Sequence, residues 1–131
     1  RESRGTRMDV AIADGLLALA DRDQIAQVLI NLLRNAAESS RDTAGGIGIE
    51  AARDDDGWVA VRVSDSGRGI DPEVAERIFD PYFTTKSYGL GIGLALCKGI
   101  MDGHGGTISV AGRPGGGAVS TIRLPPPPPG P

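Results

Sequence analysis

Two alternating stretches, 47–52 and 58–64, are separated only by the acidic turn Asp54-Asp55-Asp56-Gly57. Side chains that alternate at period two across so short a link can pair only as an antiparallel hairpin. Val59, Val61 and Val63 are expected on one face, with Ala60, Arg62 and Ser64 on the other. A second pair of strands, 107–111 and 118–124, flanks the turn Arg113-Pro114-Gly115-Gly116-Gly117, and residues 8–13 alternate weakly as a further short strand. Two hairpins exclude the regular strand–helix alternation of a doubly wound fold. The predicted class is α+β: a two-layer sandwich of helices on a mixed, mostly antiparallel β-sheet.

Helical periodicity is strongest after Asp21. Asp21-Arg22-Asp23-Gln24 resembles a capping box, and Ile25, Val28, Leu29, Leu32, Leu33, Ala36 and Ala37 recur at i, i+3, i+4, i+7. Asp71 as cap and Pro72 at the first helical position predict a short helix over 73–79. A second long helix is expected from Gly91 or Ile92 to Asp102, stopped by Gly103 and the Gly105-Gly106 pair. Residues 80–90 look irregular.

The chain has 131 residues, the size of one domain with a single core. A net charge of −3 argues against a phosphate-backbone binder, so no nucleic-acid partner is expected. No apolar run reaches the roughly 18 residues of a membrane span. The single Cys97 excludes a disulfide framework, fits a reducing cytosol and is read as small apolar filler on a helix. A lone histidine, His104, cannot by itself build a histidine-rich metal site. Residues 1–124 are read as the domain and 125–131, which begin with five prolines, as a proline-rich disordered tail. The start Arg1-Glu2-Ser3 carries neither methionine nor a signal pattern, as expected of a piece of something longer.

Four short stretches carry chemistry. On the first helix Asn31 and Asn35 fall one turn apart beside the apolar stripe, with Gln24 and Glu38 on the same side. Half-buried carboxamides need partners, and an amide oxygen suits a hard cation while its N–H suits phosphate. The plain alternative is the polar margin of an amphipathic helix. Asp65-Ser66-Gly67-Arg68-Gly69-Ile70 sits where the valine strand ends. There a carboxylate can accept from the exocyclic amine of adenine, which guanine replaces with a carbonyl; a glycine-rich turn with a capping aspartate is the alternative. Phe79-Asp80-Pro81-Tyr82-Phe83-Thr84-Thr85-Lys86 combines aromatic anchors with hydroxyls and a cation, as a phosphate-contacting flap or as a loop pinned to the core. Gly89-Leu90-Gly91-Ile92-Gly93-Leu94 opens the second helix and would expose backbone N–H groups to an anion. Leu94 breaks a dinucleotide fingerprint, and no P-loop pattern occurs.

In this order the four stretches resemble the N, G1, F and G2 boxes of the GHKL (Bergerat) ATPase superfamily, and within it the sensor histidine kinases of the nitrogen- and oxygen-regulation subgroup. The likeness runs from about Asp21 to Arg123 and includes the turn His104-Gly105-Gly106. It implies that Asn35 coordinates Mg²⁺ bridging the ATP phosphates, that Asn31 contacts phosphate or metal-bound water, and that Asp65 binds the adenine amine. Gly67, Gly69, Gly89, Gly91, Gly93 and Leu94 would shape the nucleotide loops, and Thr85 and Lys86 would lie in a lid spanning about 80–91. In the hydrolytic branches a glutamate one turn before the metal-binding asparagine activates water. Asn31 stands there and cannot act as a general base.

The implied function is therefore that of a protein-histidine kinase catalytic domain. It would pass the γ-phosphoryl of ATP to a histidine on a separate dimerisation domain, for relay to a response-regulator receiver domain. The parent is expected to be a homodimer, with this domain in the cytoplasm whether or not the parent is membrane-anchored. Two departures stand out: Leu90 replaces the subgroup's usual threonine, and no His-Glu-x-x-Asn-Pro phosphoacceptor motif is present. The alternatives are an ATPase that hydrolyses ATP as a conformational switch and a non-catalytic nucleotide-sensing or docking module.

Overall fold

The computed structural model describes residues 20–40, 45–67, 69–80 and 94–126, and the backbone of 8–12. In chain order the elements are β1 (Met8–Ile12), α1 (Arg22–Ser39), β2 (Ile47–Arg53), β3 (Val59–Ser64), α2 (Pro72–Ala75), α3 (Leu94–Gly103), β4 (Thr107–Gly112) and β5 (Ala118–Leu124). The strands form one five-stranded sheet in the order β1-β2-β3-β5-β4. β1 pairs parallel with β2, and the other three ladders are antiparallel. The fold is thus the α+β sandwich that the two hairpins imply, with a mixed, mostly antiparallel sheet.

The helices cover one face of that sheet. Register places Val61 opposite Ile122, Ile122 opposite Ile108, and Val63 opposite Ile49, so the apolar positions of four strands line up. Val28, Leu32 and Ala36 of α1 pack with Leu94, Cys97 and Met101 of α3 and with Ile47, Val63 and Ile122 in one continuous core. Val28, Cys97, Met101 and Ile122 are fully buried. Cys97 is therefore the apolar filler its position predicts, and burial pushes its thiol pKa up, away from the reactive thiolate.

The far face departs from simple alternation. Ala60 is completely buried although it points away from the helices. It lies between Ala52 and Arg123 in the ladder, with Trp58 and Arg62 two residues to either side. Arg123 also holds the acidic turn: Nε donates to Asp54 at 3.0 Å and Nη2 to Asp56 at 2.7 Å, while its guanidinium lies 5.0 Å from the Trp58 ring centroid. The Arg123 hydrogen bond holds the Asp56 carboxyl below its ordinary pKa. The small stabilisation of this exposed pair is present above the ordinary carboxylate range and fades as acid protonates Asp56.

The ends of the helices sharpen the sequence expectations. Asp21 caps α1, its carboxylate accepting from the Gln24 N–H at 3.0 Å. The reciprocal half of the capping box is replaced, because the Asp21 N–H donates 3.0 Å to His104 Nε2. His104 Nδ1 lies 2.8 Å from the Ile100 carbonyl, so the neutral Nδ1–H tautomer satisfies both contacts and ties the end of α3 to the start of α1. Asp71 and Pro72 do open α2, but the Asp71 side chain makes no capping bond. The helix is also shorter than the predicted 73–79. From Arg77 onward the N–H groups reach back three residues as well as four, and the segment ends as tight turns that seat Ile78 in the core. Most of the tail, 127–131, lies outside the described residues, as does residue 13, the last of the predicted first strand.

Leu32, 1% exposed, and Ile30, 52% exposed, sit on opposite sides of α1. Leu32→Ala should lower unfolding free energy by about 2–5 kcal/mol in a urea titration, whereas Ile30→Ala should stay within about 0.5 kcal/mol of the parent.

Candidate functional site

The site begins where β3 stops. Asp65 follows the last strand residue, and its backbone N–H continues the ladder to the Ala118 carbonyl at 2.9 Å. Its side chain turns back on its own loop: Oδ1 accepts from the Gly67 N–H at 2.9 Å and from the Ala118 N–H at 3.3 Å. The Asp65 carbonyl accepts from Arg113 Nη1 at 2.6 Å. Asp65 is only 7% exposed, yet among the described residues Oδ2 receives no hydrogen bond. Oδ2 is therefore the oxygen of this carboxylate left to accept from a donor outside the loop.

The glycines after Asp65 serve close packing. A Cβ on Gly67 would run into the Ser39 carbonyl and hydroxyl, so only glycine lets this loop rest on the end of α1. Gly69 has φ +82°, in the left-handed region, which turns the chain away from the sheet and against the Gly117 carbonyl.

Asn35, Ala36, Asp65, Gly69, Ile70, Ile78, Leu94, Val110, Ala118 and Ser120 together line one cleft. Most of its walls are aliphatic, with three polar side chains: the Asn35 amide, the Asp65 carboxylate and the Ser120 hydroxyl. Such a slot suits a flat, largely apolar ring bearing an amine donor. Asn35 supplies a neutral oxygen of the kind a hard cation accepts, and Mg²⁺ needs only one or two protein oxygens when phosphates complete its shell.

Four of the residues picked out in the sequence thus meet in one place: Asn35, Asp65, Gly69 and Leu94. Gly67 lies just behind them. Asn31 does not line the cleft; it sits one turn earlier on α1, its amide 3.5 Å from Cys97 Sγ. Glu38 is exposed, one turn past Asn35. Thr85, Lys86, Gly89, Leu90, Gly91 and Gly93 fall outside the described residues, so the expectations for the lid and the second glycine box rest on sequence. Sequence reasoning missed Ile78, Val110, Ala118 and Ser120 of the lining, and Arg113 and Gly117 against the Asp65 carbonyl. Val110, Ala118 and Ser120 reach the cleft through the β3–β5 and β4–β5 ladders and Ile78 through the turns after α2, so spacing along the chain gave no sign of them.

A family model described as "Histidine kinase-, DNA gyrase B-, and HSP90-like ATPase" matches residues 20–128. Among curated relatives, the sensor histidine kinase ZraS of Salmonella typhimurium is 47% identical over 106 residues, covering 81% of this chain and 23% of that protein. The signal transduction histidine-protein kinase AtoS of Escherichia coli is 44% identical over 106 residues, covering 81% of this chain and 17% of that protein. The chain therefore spans about a quarter or less of these relatives. Among solved structures, the nucleotide-free catalytic domain of the histidine kinase ThkA superposes with TM-score 0.78 at 39% identity, over 90% of this chain and 78% of that one. Full-length ShkA in complex with AMPPNP superposes with TM-score 0.79 at 33% identity, over 92% and 26%.

Replacing Asp65 separates its two oxygens. Asp65→Ala strips the acceptor from the part-buried Gly67 N–H and the buried Ala118 N–H and should cost about 1–3 kcal/mol in chemical denaturation. Asp65→Asn can keep Oδ1 in place and should recover most of that loss.

Proposed function

The chain belongs to the histidine kinase-, DNA gyrase B- and HSP90-like ATPase family, as the ATP-binding catalytic domain of the sensor histidine kinase kind, and on that premise we propose how its residues act. The cleft takes adenine, with Asp65 Oδ2 accepting from the exocyclic amine and Ile70, Ile78, Leu94 and Val110 enclosing the ring. The observation that carries this reading is the buried Asp65, gripped on every side but Oδ2, facing an aliphatic slot. Asn35, which lines the same cleft, would hold Mg²⁺ through its amide oxygen, and Asn31 would contact phosphate or metal-bound water one turn away. Mg²⁺, when bound, neutralises phosphate charge.

Gly89, Gly91 and Gly93 precede α3 and offer backbone N–H groups to the phosphates, while Thr85 and Lys86 belong to a lid over them. Catalysis here is positioning rather than covalent chemistry: the domain fixes the nucleotide and presents its γ-phosphoryl group. Transfer rather than hydrolysis is favoured because Asn31, an amide, holds the position of the water-activating glutamate and Glu38 lies exposed past Asn35. The acceptor is a histidine on a helical dimerisation domain of the same parent, a homodimer, with a response-regulator receiver domain next in the relay. Among the described residues no helix is long and apolar enough to cross a membrane, and the domain works where ATP is supplied, in the cytoplasm.

Calorimetric titration with a non-hydrolysable ATP analogue should show binding that strengthens with Mg²⁺ and exceeds that of the GTP analogue. Asp65→Asn should weaken it by about tenfold or more, the worth of one hydrogen bond to a charged acceptor. No binding of any adenine nucleotide would sink the proposal, and steady-state ATP hydrolysis well above background would favour the switch ATPase instead.

A further inference from the structure

The turn between β4 and β5 lies behind the adenine cleft, and its contacts converge on Asp65. Arg113 donates from Nη1 to the Asp65 carbonyl at 2.6 Å, the shortest of the four hydrogen bonds that hold this residue. The turn fixes Arg113 in its place: its N–H donates to the Gly117 carbonyl at 3.0 Å and its carbonyl accepts from the Gly116 N–H at 3.1 Å. Gly117, at φ +94°, presses so closely on the Asp65 carbonyl that a side chain there would collide with it. The Gly117 carbonyl in turn abuts Gly69. One five-residue turn therefore touches both the carboxylate residue and the left-handed glycine of the site.

We propose that Arg113 is a positioning residue for adenine recognition, fixing the Asp65 peptide so that Oδ2 meets the exocyclic amine of the ring. The inference rests on the reading of Asp65 given above. A carbonyl bound to guanidinium cannot rotate without losing a charge-assisted hydrogen bond, and the Asp65 side chain pivots on that same peptide. Arg113 is itself exposed and lines a separate depression with Ser64 and Ser66, so its side chain is not needed to fill the core. Its loss should loosen the angle of the carboxylate and leave the aliphatic walls, Asn35 and the phosphate loops as they are.

The test compares Mg-ATP with Mg-ITP, because hypoxanthine carries a carbonyl and a protonated N1 where adenine carries the amine and an unprotonated N1, while ribose and triphosphate are the same. The full chain, Asp65→Asn, Arg113→Ala and Arg113→Lys are titrated calorimetrically and melted by circular dichroism. The parent should prefer ATP, and Asp65→Asn should abolish the preference. Arg113→Ala should cut the ATP:ITP affinity ratio by about tenfold, the equivalent of one charge-assisted bond, with ITP affinity unchanged. Arg113→Lys, keeping a cation and a donor, should fall between. An unchanged ratio in Arg113→Ala, or a parallel fall for both nucleotides, overturns the positioning role while leaving the adenine reading intact. If Arg113→Ala melts below the assay temperature, the ratio in Arg113→Lys decides in the same way. A parent that does not prefer ATP over ITP removes the Asp65 reading and this inference together.

Discussion

The apolar stripe of α1 is the contact on which the rest of the molecule depends. A helix of this length is marginal alone in water, and most of its stability comes from the face it buries. Val28, Leu32 and Ala36 bury that face against the sheet and against Leu94, Cys97 and Met101 of α3. Asn35 is the neighbour of Ala36 in the chain, so the packing that seats the alanine also sets the amide at the edge of the cleft. The closed end of the same helix carries Ser39, on which Gly67 rests. Core and site share one helix, and the orientation of one fixes the other.

From the sheet side, the site is built around a carboxylate that is costly to bury. Asp65 stands at the end of a central strand, where its N–H, its carbonyl and one carboxylate oxygen are already engaged. Those bonds offset the desolvation of the group and leave a single acceptor with a defined direction. An acceptor so held beside an aliphatic slot suits a flat ring with an amine, the role proposed for it above.

Much of this was legible before any fold was known. Asp21 as a cap, the stripe of α1 and the two hairpins are local patterns, and each formed close to where the sequence puts it. Other local patterns were overridden. The Asp21 N–H took His104 as its partner in place of Gln24, because the end of α3 docks beside the start of α1. Ala60, placed by alternation on the outer face, is nonetheless buried, with Arg123 as its ladder partner. Helix α2 gives way to turns after Ala75, so that Ile78 can reach the core.

Sequence alone picked out Asn35, Asp65, Gly69 and Leu94, each marked by its place on a helix, at a strand end or in a glycine loop, and the fold brings the four to one cleft. Asn31 lies one turn before Asn35 on α1, off this cleft, with its amide donating to Cys97 Sγ. Only the tertiary structure brought Val110, Ser120 and Ala118 to the same cleft and set Arg113 on the Asp65 carbonyl. Arg113 is 48 residues from Asp65 along the chain. The reason is physical: side-chain period and capping act over a few residues, whereas strand register across a five-stranded sheet decides which distant residues meet.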